Sequence, residues 1–143
     1  QWPNLSQASV QVAMLLIDVD RFGAYNQAQG HIAGDACLKR IAQILRDRCR
    51  SEQRVSRFDG DEFLIVAVDT SEASAMALAE AIRISVESSS IGASAGAATV
   101  ITVSVGVTCV VPGSEHALLD TIASTRTALD EARAGAGNRV AVS

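Results

Sequence analysis

Val55-Ser56-Arg57-Phe58-Asp59-Gly60-Asp61-Glu62-Phe63-Leu64-Ile65-Val66 reads as two extended runs on either side of a polar turn. An Asp-Gly pair between such runs is a β-hairpin signal, because a type I′ turn wants positive φ at both central residues. The turn also gathers three acids, Asp59, Asp61 and Glu62, at one tip.

Upstream, residues 10–18 (VQVAMLLID) form a short apolar run that ends in acids, Asp18 and then Asp20. This predicts a buried central strand with carboxylates at its C-terminal end. Residues 21–29 predict a short helical turn closed by Gly30. Residues 31–50 predict an amphipathic helix with Ile32, Cys37, Leu38, Ile41, Ile44 and Leu45 on its apolar face and Lys39, Arg40, Arg46, Asp47 and Arg50 on the other. Downstream, residues 71–86 predict an Ala-rich amphipathic helix, and 88–98, rich in Ser, Gly and Ala, a mobile loop. Residues 99–111 alternate and are β-branched, which predicts a strand. A helix capped by Ser114 and running to Arg133 through Leu118, Ile122 and Leu129 follows, then a turn at 135–137 and a last strand at 140–142. The order β-α-β-β-α-β-α-β predicts an α+β fold, a mixed sheet with helices packed on it.

The chain has 143 residues, 48% of them hydrophobic and 20% charged, which is a globular composition. A net charge of −4 argues against nucleic acid or an anionic membrane as the main partner. No apolar run reaches the roughly 18 residues of a membrane helix, and residues 1–11 carry no signal-peptide pattern. Cys37, Cys49 and Cys109 are odd in number and lack metal-ligand spacing, so buried thiols in a reducing cytoplasm are expected. His31 and His116 show no zinc pattern, and Lys39 is the only lysine.

If the first strand and the hairpin are neighbours, the pairs Asp18/Asp20 and Asp61/Glu62 converge at one rim of the sheet. Clustered carboxylates repel, and a divalent cation is the usual reason to keep them close; hard oxygen ligands favour Mg²⁺, which typically works with a nucleotide phosphate. The alternative is that these are solvated turn acids.

Residues 57–63, Arg-Phe-Asp-Gly-Asp-Glu-Phe, resemble the Gly-Gly-Asp/Glu-Glu-Phe signature of the GGDEF domain family, the diguanylate cyclases. Asp18-Val19-Asp20-Arg21-Phe22, Tyr25-Asn26, Gly30-His31 and Gly34-Asp35 resemble a second block of that family at the same spacing. Ser104-Val105-Gly106-Val107 is similar to a third, and Ala128-Leu129, Ala132-Arg133 and Asn138-Arg139-Val140 to the tail. The resemblance implies a nucleotidyl cyclase palm-like fold in one domain over 1–143, and a reaction in which two GTP become cyclic di-GMP and two pyrophosphates. Two domains, each holding one GTP, would face each other as a homodimer. By position, Asp18, Asp61 and the Val19 carbonyl would hold Mg²⁺ or Mn²⁺. Asp61, with Glu62 beside it, would assist deprotonation of the 3′-hydroxyl. Asn26 and Asp35 would read the guanine edge, His31 would line the nucleotide pocket, Asp59 and Gly60 would lie against the nucleotide, and Arg133 would bind phosphate.

The sequence also departs from the family. Asp59 replaces the first motif glycine, adding bulk and charge beside phosphates, and the cations usual at two phosphate-binding positions are Gly23 and Gly137. Gln27 follows Asn26 in place of the usual Asp. Arg50 keeps the first residue of the Arg-x-x-Asp product-inhibition site, but its carboxylate is Gln53, which predicts a lost or weak site; the neighbouring Glu52 is the candidate substitute. The segment Asp-x-Leu-Thr-Gly-Leu-x-Asn-Arg that opens the family has no counterpart in residues 1–10, so the chain reads as a fragment of a longer protein with a sensor domain or partner upstream. These departures set a cyclase of reduced activity against a degenerate domain that binds GTP or a partner protein and regulates a neighbour.

Overall fold

The computed structural model describes residues 11–50, 53–92, 100–111 and 115–143, with side chains for all of these except 59 and 115–118. The expectations for residues 1–10, Glu52, the loop over 93–98, the Ser114 cap and the side chains of Asp59, His116 and Leu118 lie outside the described residues. The elements run β1 (Val12–Val19), α1 (Phe22–Gln29), α2 (His31–Arg48), β2 (Gln53–Asp59), β3 (Glu62–Val68), α3 (Glu72–Ser88), β4 (Val103–Val110), α4 (Glu115–Arg133) and β5 (Val140–Val142). They build the expected α+β fold around one sheet of order β2-β3-β1-β4-β5. Its pairs are antiparallel except β4 with β5, which is parallel.

β1 is apolar on both sides because it is covered on both sides. Ala13, Leu15, Ile17 and Val19 face a core shared with Phe63, Ile65 and Ala67 of β3, Val103, Val105 and Val107 of β4, Cys37, Leu38, Ile41, Ile44 and Leu45 of α2, and Ala75, Ala79, Ile82 and Val86 of α3. Met14, Leu16 and Asp18 alternate onto the opposite side and are buried too. α4 packs across β4 and β1. Its close approach requires Gly106, where a Cβ would stand 2.3 Å from the Leu129 backbone N and 2.6 Å from the Thr125 carbonyl O. That approach sets Arg133, the last residue of α4, against the end of β1.

Several expectations change. Ile32 is 89% exposed and Ile122 40%, because the stripe of each helix extends past what it packs against. Arg50 lies beyond α2. The hairpin forms, but Asp59 pairs with Glu62, so its two central residues are Gly60 and Asp61 in place of the expected Asp59 and Gly60. Only Gly60 has positive φ (+47°), so the turn is not type I′, and the register shifts between Arg57 and Asp59, leaving Phe58 in a bulge. Cys37 is buried, which pushes its thiol up to about 11, and Cys49 and Cys109 are half-buried with thiols also raised by burial.

Candidate functional site

The sheet register brings the two acid pairs together. Asp18 pairs with Glu62 across β1 and β3, and the Val19 N–H donates to the Asp61 carbonyl O at 3.3 Å. Asp18 is 4% exposed. Its Oδ2 meets Arg133 Nε at 3.1 Å, while its Oδ1 is buried with no hydrogen-bond partner. Burial pushes the Asp18 carboxyl up to about 7, the Asp61 charge adds to this, and Arg133 opposes it.

Glu62 is held differently. Arg126 Nη1 and Nη2 donate to its two oxygens at 2.7 and 2.9 Å, a bidentate pair that holds the Glu62 carboxyl below its ordinary range. The sequence reading missed Arg126. Its one available signal was its place on α4 seven residues before Arg133, two turns along the same face.

Asp20, grouped with Asp18 by the sequence, does not join this cluster. Its Oδ1 accepts from Ser104 Oγ at 2.7 Å. Its Oδ2 accepts from Thr102 Oγ1 at 2.7 Å and from the Asn138 N–H at 2.8 Å. Both oxygens are therefore spent on the turn after α4 and on the start of β4 with the residue before it.

A second group forms where α1 meets α2. Asn26 Nδ2 donates to His31 Nδ1 at 3.1 Å, and Asn26 Oδ1 is buried without a partner. A Cβ at Gly34 would stand 1.9 Å from that oxygen, so glycine is what admits the Asn26 amide. Asp35 follows on the exposed side of α2. Arg50 and Gln53 meet as neighbours, the Arg50 N–H donating to Gln53 Oε1 at 2.8 Å. They line an open cleft of about 370 Å³ with Arg48, Asp69, Thr70 and Ser74.

The Asp18 rim suits a hard divalent cation. It offers a buried carboxylate oxygen with no protein partner beside a second carboxylate, both hard donors. No cluster of three or more His, Cys, Asp or Glu ligands exists among the described residues. That is compatible with Mg²⁺, which commonly takes one or two carboxylates and completes its shell with water and substrate phosphates.

The family model described as "Diguanylate cyclase, GGDEF domain" matches residues 1–139. Over 80 residues, 56% of this chain, the sequence is 38% identical to diguanylate cyclase DosC of Escherichia coli (strain K12), and the match covers 17% of that protein. The matched segments thus cover less than a fifth of the length of these curated relatives. Among solved structures, the GGDEF domain of TpbB (YfiN) from Pseudomonas aeruginosa aligns with TM-score 0.82 and 29% identity, over 98% of this chain and 81% of that one. The active GGEEF domain of a diguanylate cyclase from Vibrio cholerae aligns with TM-score 0.85 over 99% of this chain and 88% of that one; at 24% identity this is a likeness of fold.

Proposed function

Because this chain belongs to the GGDEF domain family, we propose that residues 1–143 form a diguanylate cyclase domain that condenses two GTP into cyclic di-GMP. The observation that carries the reading is the Asp18 rim, where a buried carboxylate with an unsatisfied oxygen stands beside Asp61. Asp18, Asp61 and the Val19 carbonyl are the groups that would hold Mg²⁺ or Mn²⁺, which when bound neutralises phosphate charge at the reacting centre. Asn26 and Asp35 read the guanine edge, since amide and carboxylate acceptors match guanine N1 and N2 donors. His31 fixes the Asn26 amide through their hydrogen bond. Asp59 and Gly60 place the hairpin tip against the nucleotide. Arg133, half exposed beside Asp18, presents its free donors to a phosphate.

Two such domains face each other, and the 3′-hydroxyl of one GTP attacks the α-phosphorus of the other while pyrophosphate leaves. Asp61 takes the hydroxyl proton and releases it to water. Repetition with the roles exchanged closes the ring. Glu62, clamped by Arg126, steadies the hairpin that carries Asp61. This is mostly positioning and charge neutralisation, the inventory phosphoryl-type transfer needs. The partners are then GTP, a second copy and an upstream sensor or regulator, with neither nucleic acid nor membrane required; no described helix is long and apolar enough to cross a membrane. A cytoplasmic site of action follows from the need for GTP.

A second reading is a regulatory domain that binds GTP or a partner without turnover. On its side, Gly23 and Gly137 put no cation where the family has two. Incubation with GTP and Mg²⁺ decides between them: cyclic di-GMP and pyrophosphate in a 1:2 ratio support the cyclase, and GTP left intact by a folded, nucleotide-binding protein supports the regulator.

A further inference from the structure

Asp20 is the second carboxylate of Asp18-Val19-Asp20, yet the hydrogen bonds of its carboxylate go to Thr102, Ser104 and Asn138. Its surroundings are complete: Ser104 Oγ on Oδ1, Thr102 Oγ1 and the Asn138 N–H on Oδ2, and its own N–H donating to the Thr102 carbonyl O at 2.9 Å. The Asn138 N–H also reaches Ser104 Oγ at 3.1 Å, and Ser104 Oγ lies 3.3 Å from the Ala132 carbonyl O, one residue before Arg133. Asn138 adopts a positive φ of +52°, and its side chain is engaged on the far side, accepting from Arg83 and donating to Glu87 of α3.

The chain that leaves α4 is thus tied back onto the end of β1. Four residues separate Arg133 from Asn138, and one separates Asp18 from Asp20. One link of this closed loop is the Asp20 clamp and the other is the Arg133–Asp18 pair at 3.1 Å. Gly137 is what lets the loop close. Its φ is +70°, and a Cβ there would stand 2.6 Å from Asp20 Oδ1, 2.8 Å from Cγ and 2.9 Å from Oδ2. A free carboxylate could swing aside, but this one is fixed by three donors. Glycine at 137 is therefore a steric requirement of the clamp as well as an absent cation.

We infer that Asp20 is a positioning residue: its carboxylate holds the 134–138 turn, with Gly137 making room, and so seats Arg133 on Asp18 where a nucleotide phosphate is bound. The phosphate part rests on the nucleotide reading given above; the seating of Arg133 does not.

The test reads both parts separately. The Arg133 Nε–Hε resonance, assigned by its loss in Arg133→Lys, reports seating without nucleotide. Binding of a fluorescent, non-hydrolysable GTP analogue with Mg²⁺ reports function. In Asp20→Asn, whose amide nitrogen cannot accept, the resonance moves to the position of the exposed arginines. Analogue affinity falls about tenfold, the size of one charge-assisted contact. In an Arg133→Ala background, Asp20→Asn costs nothing further. Thr102→Val, which removes a single donor, gives a smaller shift of the same kind and serves if Asp20→Asn does not fold. An unmoved Arg133 resonance in a folded Asp20→Asn or Thr102→Val protein overturns the proposal, as does an equal affinity loss with and without Arg133. Should the unaltered protein bind no analogue, the nucleotide reading fails, and the resonance alone decides the clamp.

Discussion

Asp18 and Asp20 stand two residues apart at the same strand end and have opposite surroundings. Asp18 is buried, shares one oxygen with a half-exposed arginine and leaves the other without a partner, next to a second negative charge. Asp20 has donors on both oxygens from Thr102, Ser104 and the Asn138 backbone. The first carboxylate, compensated by Arg133 on one oxygen only, burdens the fold until a further partner reaches the other. The second stabilises the fold with what the chain already provides. An unfinished polar group in a rigid frame marks where a ligand belongs, and a finished one marks the frame itself.

The comparison is broken most violently at Asp18. Asp18→Ala is expected to lower cyclic di-GMP formation by about 10³-fold or more, as for loss of a principal electrostatic group. Its thermal midpoint stays within a few degrees of the unaltered protein or rises, because the carboxylate removed was under-satisfied. Pyrophosphate release and calorimetry check the two halves of this statement.

Gly137→Arg sharpens it from the other side. On the sequence alone this change restores a phosphate-binding cation. In the structure its Cβ would enter the Asp20 carboxylate at 2.6 Å from a positive φ. The expected result is a loss of about 1–3 kcal/mol from overpacking, seen as a lower denaturant midpoint, with no gain in GTP affinity.

Arg126→Met gives the smallest effect. The Glu62 carboxyl is held below its ordinary range by Arg126, so the pair's contribution is present above the ordinary glutamate pKa and is lost as the pH falls through the lowered one. Arg126 is partly exposed, and the loss at pH 7 is about 1 kcal/mol. The gap between variant and unaltered protein is expected to narrow below pH 4 in acid-unfolding curves.

How far these features were legible depends on the range of the pattern that carries them. β1, the hairpin and the three longer helices showed because an apolar run, a period of two and a period of 3.6 are local. The convergence of Asp18 with Asp61 follows from a hairpin that neighbours β1. Periodicity tells which face of a helix is apolar but not whether anything lies opposite, which is why Ile32 and Ile122 read as core and stand exposed. Asp18 and Asp20 share a residue type and, by alternation, a face, so nothing local separates them. What separates them is Thr102, Ser104 and Asn138, brought in from more than eighty residues away. Arg126 escaped notice for the same reason, since its partner Glu62 lies 64 residues back along the chain.

The most direct test of this division of labour is one set of melting curves, for the unaltered protein, Asp18→Asn and Asp20→Asn, each with and without Mg²⁺ and GTP. Asp18→Asn is expected to keep the ligand-free midpoint and lose the upward shift that ligand produces. Asp20→Asn is expected to lose about 2–3 kcal/mol of stability, roughly 4–12 °C for a domain of this size, and to keep a shift reduced in size. A ligand shift that survives in Asp18→Asn, or an Asp20→Asn protein as stable as the unaltered one, would contradict the account.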